Sequence, residues 1–324
     1  MTDPDITRIE SLCTCQVTLT IQCEQLGSWE RDMDVIRRRI EQQVFSLTGL
    51  ALNDIDYENP PGDPGLFGPQ SICWRVHSDF PSMLCGGIGA LMLQMMHPLA
   101  LAGVWDHSNF RQDMLGRLRR TSQFIAATTF ASTSDAHRLI ERVRLIHSRV
   151  KGVAPDGRGY AADDPDLLTW VHVAEVKCFL DSYMRYKAPG LSVAEQDQYF
   201  DEVARIALAL GAVEVPRSRF EVEAYIERMR PELTFDQRTA QVLELLLSAP
   251  APNRLTRPVG YIMARASMDL LPDWAQQKAG VTLSGGQKLL IRTSMRTLAS
   301  TLRWAIRNGA SQRARRRTRT LYSA

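Results

Sequence analysis

The sequence predicts an all-α, multi-helix protein with one main domain and an extension at each end. Apolar residues recur at spacings of three and four along most of the 324-residue chain, the period of an amphipathic helix. Ser, Asp and first-turn Pro residues stand where such stretches begin, as helix starts require. With 44% hydrophobic residues, there is ample material for a core.

Taken in order, residues 1–28 stand apart, because Val17-Thr18-Leu19-Thr20-Ile21-Gln22-Cys23 alternates and reads as a short strand or a leader. From Trp29 to about Leu47 the pattern turns helical through Met33, Ile36, Ile40 and Val44. Pro60-Pro61-Gly62-Asp63-Pro64-Gly65 is a break. Residues 1–65 are therefore expected to be an extension with one helix and a linker, 66–308 the main domain and 309–324 a basic, disordered tail. Gly86 to Trp105 is almost long enough to span a membrane, but Gln94, His97 and Pro98 at its centre would be costly in lipid. A buried core helix that Pro98 kinks or ends is expected, with Met92 to Met96 filling the core.

Ser134 or Asp135 is expected to cap a helix reaching about Val150, and Pro155-Asp156-Gly157-Arg158-Gly159 is turn-rich. Asp164-Pro165 opens a helix to about Tyr186, and Ser192 with Glu195 has capping-box spacing for another toward Leu210. Later helices are expected near 218–230, 235–248, 258–271 and 284–307. Leu283-Ser284-Gly285-Gly286-Gln287 spells an ATP-binding-cassette signature, but no GxxxxGK[ST] phosphate loop accompanies it. Ser284 reads as a helix cap instead.

A net charge of +3 gives no reason to expect a nucleic-acid partner. The basic run Arg313 to Arg319 reads as a solvated terminus and leaves peripheral contact with an anionic membrane open. The six cysteines are scattered without zinc or disulfide spacing, so a reducing cytoplasm is expected. The first residues are acidic and polar, unlike a secretory signal.

The residues with most chemical content are Arg117-Leu118-Arg119-Arg120-Thr121 and the histidines of the following helices. Arg117, Thr121 and Phe124 share one helical face, and Arg120, Phe124 and Thr128 an overlapping one. Inward arginines beside an apolar run need anions or strong acceptors. Haem propionates, bound oxygen, or Asp106, Asp113 and Glu175 would serve, and a structural salt-bridge network is the plainer alternative. His147 continues the stripe of Ile140 and Val143, and His172 that of Leu168, Val176 and Phe179, so both are expected to face inward. Inward arginine and threonine opposite an inward histidine are the parts of a haem pocket.

Several motifs, in order, resemble the catalytic domain of the MpaB-type and latex-clearing (rubber oxygenase) family. They are Leu66-Phe67-Gly68-Pro69, Trp74-Arg75-Val76, Leu91-Met92-Leu93-Gln94-Met95-Met96-His97-Pro98, Asp106-His107-Ser108-Asn109-Phe110, Gly116 to Thr121, His147-Ser148-Arg149-Val150-Lys151-Gly152, Tyr160 to Pro165 and Leu168 to His172. The likeness covers about residues 66–305. It implies a globin-like core around haem b, and an oxygenase that cleaves carbon–carbon double bonds of polyprenyl chains with dioxygen and an electron donor. By the resemblance His147 is the proximal iron ligand, with His172 as second candidate, and Arg117 and Thr121 are the distal pair. Arg120 stands where latex-clearing members can carry an iron-binding lysine. A guanidinium has no free lone pair for iron, so Arg120 is expected to donate hydrogen bonds to bound oxygen or a propionate. A haem-binding or haem-sensing protein without turnover is the alternative.

Overall fold

The computed structural model describes residues 32–46, 54–248 and 256–319. Helix α1 occupies 32–46. Ile72–His77 (α2), Phe80–Gln94 (α3), Pro98–His107 (α4), Met114–Phe130 (α5) and Thr133–His147 (α6) follow. A small antiparallel hairpin of Lys151–Val153 (β1) and Gly159–Ala161 (β2) pairs Lys151 with Ala161. Then come Pro165–Tyr186 (α7), Val193–Leu210 (α8), Arg219–Met229 (α9), Gln237–Leu247 (α10), Arg257–Leu270 (α11), Asp273–Lys278 (α12), Gly285–Ala305 (α13) and Ala310–Thr318 (α14). The alternating stretch Val17–Cys23 lies outside the described residues.

Local chemistry sets most boundaries. Asp164 caps α7 through the amides of Asp166 and Leu167, with Pro165 in the first turn. Ser192 and Glu195 close a reciprocal capping box on α8, and Ser284 and Gln287 do the same on α13. Each cap satisfies otherwise orphaned amides, typically for about 1 kcal/mol. Helix α6 begins earlier than Ser134 or Asp135 predicted, because Ser132 accepts from the Asp135 amide. It ends at His147, before Val150, where the chain turns toward β1.

The core is organised on α3 and α7, the most extensive helix pair of the fold. Gly86 permits their approach: a Cβ there would lie 2.7 Å from the Cys178 carbonyl oxygen. Helix α11 lies on the same helix, with Ser267 donating to the Cys85 carbonyl oxygen at 2.8 Å. The apolar stretch divides as expected at Pro98, α3 and α4 meeting at 105°, and Met92, Met95 and Met96 are buried in the core. Among the described residues no single helix is long and apolar enough to cross a membrane, though the bent pair α3 and α4 passes on length and composition together. Two buried aspartates tie helices to this core. Asp79 accepts both Nε and Nη2 of Arg303, at 2.7 and 2.9 Å, and Asp269 binds Arg185 and Arg292.

The basic tail is not disordered over its helical part. Helix α14 packs on α5, and Arg317 is only 2% exposed. Its guanidinium donates to the carbonyl oxygens of Asp63 (2.8 Å), Tyr57 (3.0 Å) and Ala131 (3.1 Å). Guanidinium donors satisfy three loop carbonyls at once, so the charge run is partly structural and holds the Pro-Gly segment against the α5–α6 turn.

Two outcomes are expected from urea denaturation. Arg317→Ala, which leaves three carbonyls without their donor, lowers stability by about 3 kcal/mol or more. Gly86→Ala, whose methyl meets unyielding backbone, costs about 1–3 kcal/mol.

Candidate functional site

Helices α5 and α6 are joined only by Ala131 and Ser132 and pack on each other. His147 ends α6, four residues before Lys151, whose carbonyl oxygen meets His107, the neighbour of the Ser108 that accepts from Arg117. Asp113 caps α5 through the Gly116 amide at 2.7 Å.

The motif residues before α5 tie this end together. Tyr160 donates to Asp106 Oδ2 at 2.6 Å, His107 Nε2 lies 3.2 Å from the Lys151 carbonyl oxygen, and Ser108 Oγ accepts from Arg117 Nη1 at 3.0 Å. Arg117 is half-buried, and burial together with Arg120 pulls its pKa down to about 10. A guanidinium so desolvated, with a single neutral hydroxyl as its hydrogen-bond partner here, is poised for an anion. His147 is half-buried, its Nδ1 is buried without a hydrogen-bond partner, and burial lowers its pKa. It is therefore neutral near pH 7, as a metal ligand must be.

Arg120 departs from the expected inward position. Its side chain is 60% exposed, 3.8 Å from Asp113. The reason is angular: residues three apart on a helix differ by about 60° in direction, and the capping carboxylate draws the guanidinium outward. Glu175 and Asp106 do not pair with these arginines either; Asp106 is held by Tyr160.

Thr121 faces elsewhere. It lines a cleft between α3, α5 and α7 that encloses about 1090 Å³ of empty space, the open mouth included. Most of its wall is apolar, from Phe80, Leu84, Ile88, Ile125 and Phe179 among others. Val44 of α1 and Ala310 of α14 close one side. The polar exceptions include His77 and Glu175. His77 contacts Thr129 Oγ1 at 2.8 Å and Tyr199 hydroxyl at 3.0 Å, and burial together with His172 drives its pKa down to about 3. His172 is 8% exposed, with Nε2 unpartnered and its pKa lowered to about 4 by burial. Glu175, one turn further on α7, has its pKa raised to about 7 by burial. His147 and Arg117 are not among the described residues lining the cleft, whereas Leu118 and Thr121 of α5 are.

Sequence reasoning passed over His77, the one imidazole on the cleft wall. The available signal was its place in α2, four residues after Cys73 and next to Val76, both wholly buried. It also treated Glu175 as a counter-ion, although its position three residues after His172 and four before Phe179 puts it on the inward face of α7.

With this arrangement established, comparison with known proteins assigns the class. Residues 74–304 match the family described as ER-bound oxygenase mpaB/B′/rubber oxygenase, catalytic domain. The chain belongs to this family, and the matched segment, from α2 to the end of α13, is an oxygenase catalytic domain. Helices α1 and α14 lie outside it. No curated protein and no solved structure matches the chain.

A carboxyl whose folded pKa is raised stabilises the fold below its unfolded pKa, and this is lost as pH rises through the folded value. For Glu175 the window runs from its ordinary 4.5 to about 7. In thermal melts Glu175→Gln is expected to match the wild type below pH 4 and to be the more stable above pH 7, by at most about 3 kcal/mol.

Proposed function

We propose that this protein is a haem b-dependent oxygenase that cleaves a carbon–carbon double bond in an apolar, isoprenoid or lipid-like substrate. The observation that carries the reading is the unpartnered Nδ1 of His147, at the end of α6 and four residues before Lys151, whose carbonyl oxygen meets His107 beside the Arg117–Ser108 pair. The residues fit the cofactor chemically: a neutral imidazole with an unused nitrogen, a desolvated guanidinium, and an oxygenase domain around them.

His147 would hold the iron of the haem, as the family resemblance implies. His172 is the second candidate, because its Nε2 is likewise buried without a partner. Bound haem would supply the activation of dioxygen, with electrons from a donor outside this chain. The chain's own residues do the rest. Arg117 offers N–H donors in a partly desolvated setting, where they act more strongly on developing negative charge than in water. Thr121, one turn on, carries a hydroxyl to the cleft wall. Arg120, exposed at the rim, suits a propionate, because guanidinium and carboxylate pair well at a solvent edge. The apolar cleft excludes water and receives the substrate. Cys73, Cys85 and Cys178 are free and buried, which supports a reducing, cytoplasmic setting.

The test is an absorption titration of purified protein with haem. Wild type is expected to develop a Soret band. His147→Ala is expected to lose affinity by more than about tenfold, while His172→Ala keeps it. Loss in His172→Ala alone reverses the ligand, and no uptake by the wild type ends the cofactor reading. Uptake without oxygen consumption on any alkene would instead mark a haem-binding or haem-sensing protein.

A further inference from the structure

We propose that the cleft between α3, α5 and α7 binds a long-chain primary alcohol, its chain along the apolar wall and its hydroxyl donating to Glu175. This deepens the oxygenase reading, and rests on it for treating the ligand as substrate, because it names the polar end of the molecule. The cleft itself stands on geometry alone.

The argument begins from what Glu175 lacks. No lysine or arginine is among the described residues lining the cleft, so no cation meets its carboxylate there. His77, on the same wall, has both ring nitrogens within hydrogen-bond distance of Thr129 and Tyr199. Two further polar groups on the wall are turned to the backbone. Ser78 Oγ donates to the Trp74 carbonyl oxygen at 2.6 Å, and Gln94 Nε2 to the Val171 carbonyl oxygen at 2.9 Å. Glu175 is half-buried on this apolar wall, and among the described residues no hydrogen bond or ion pair engages its carboxylate, which leaves it free to accept from a ligand.

The chemistry of that acceptor selects the head group. A carboxylate or phosphate head would bring a second negative charge into a medium that screens poorly. An ammonium carries three donors, and one carboxylate beside committed neighbours does not satisfy all of them. A hydroxyl has one donor, which Glu175 meets when ionised, and it can accept from Glu175 when protonated. An alkane offers nothing. The apolar remainder of the wall suits a flexible hydrocarbon chain. Part of the wall, at Val44 and Ala310 to Gln312, comes from outside the family-matched segment, so this chain shapes the cleft with segments of its own.

The test is calorimetric binding to the full chain at pH 8, using 1-dodecanol, dodecanoate and dodecylamine. Dodecanol is expected to bind about tenfold more tightly than dodecanoate and no more weakly than dodecylamine. Glu175→Leu is expected to lose about tenfold for dodecanol, while Glu175→Gln, which keeps an acceptor, stays within about threefold. Ala126→Trp, which fills the cleft, is expected to abolish binding. The proposal is overturned if dodecanoate binds as well as dodecanol, if dodecylamine binds tenfold more tightly, or if Glu175→Leu or Ala126→Trp binds dodecanol unchanged. Haem titration of the same samples separates the two ideas. Haem uptake without alcohol selectivity sinks only this inference; Glu175-dependent alcohol binding without haem uptake sinks only the cofactor.

Discussion

The close passage of α3 across α7 is the constraint from which the rest of the arrangement follows. Gly86 lies against the backbone at Cys178 and Phe179, so the two axes are held at a spacing that no larger residue would permit. Because α7 is thereby fixed against the core, His172, Glu175 and Phe179 have fixed depths along it. The neighbouring helices take up positions around this pair. Helix α11 rests on α3 through Ser267, and α13 is tied to Asp79 at the start of α3 by Arg303. What α5 cannot fill between itself and this pair is the cleft.

Desolvation then makes the chemistry. Burial is the largest cause that lowers the pKa values of His77, His147 and His172 and raises that of Glu175, while Arg117 keeps its charge with a hydroxyl for company. Of these groups, His147 and His172 each keep one buried nitrogen without a hydrogen-bond partner. The cleft is apolar, with Glu175 as the acid among its described lining residues.

Much of the helical plan was legible because it rests on local chemistry. Asp164-Pro165, Ser192 with Glu195, and Ser284 with Gln287 cap the helices that their spacing announced. Pro98 breaks the apolar run where a missing amide demands it. The family, too, was readable from short motifs. Arg120 and the tail were not. Helical periodicity specifies a direction to within a residue's angular width, and Arg120 lies on the edge of that width, where Asp113 decides. Arg313 to Arg319 has the composition of a solvated run, yet Arg317 is enclosed because three carbonyls from distant loops converge on it.

Taken alone, the amino-acid order determined which segments are helical, where most of them stop, and to which family they belong. Those properties depend on neighbours within a few positions, or on motifs kept in sequence. Only the tertiary structure decided that His77 and Glu175 share a cleft, that Lys151 meets His107 near the start of α5, and that an arginine of the tail is a buried clasp. Each of these depends on contacts between residues far apart in the chain, and desolvation, which sets their charge and reach, exists only once those contacts have closed.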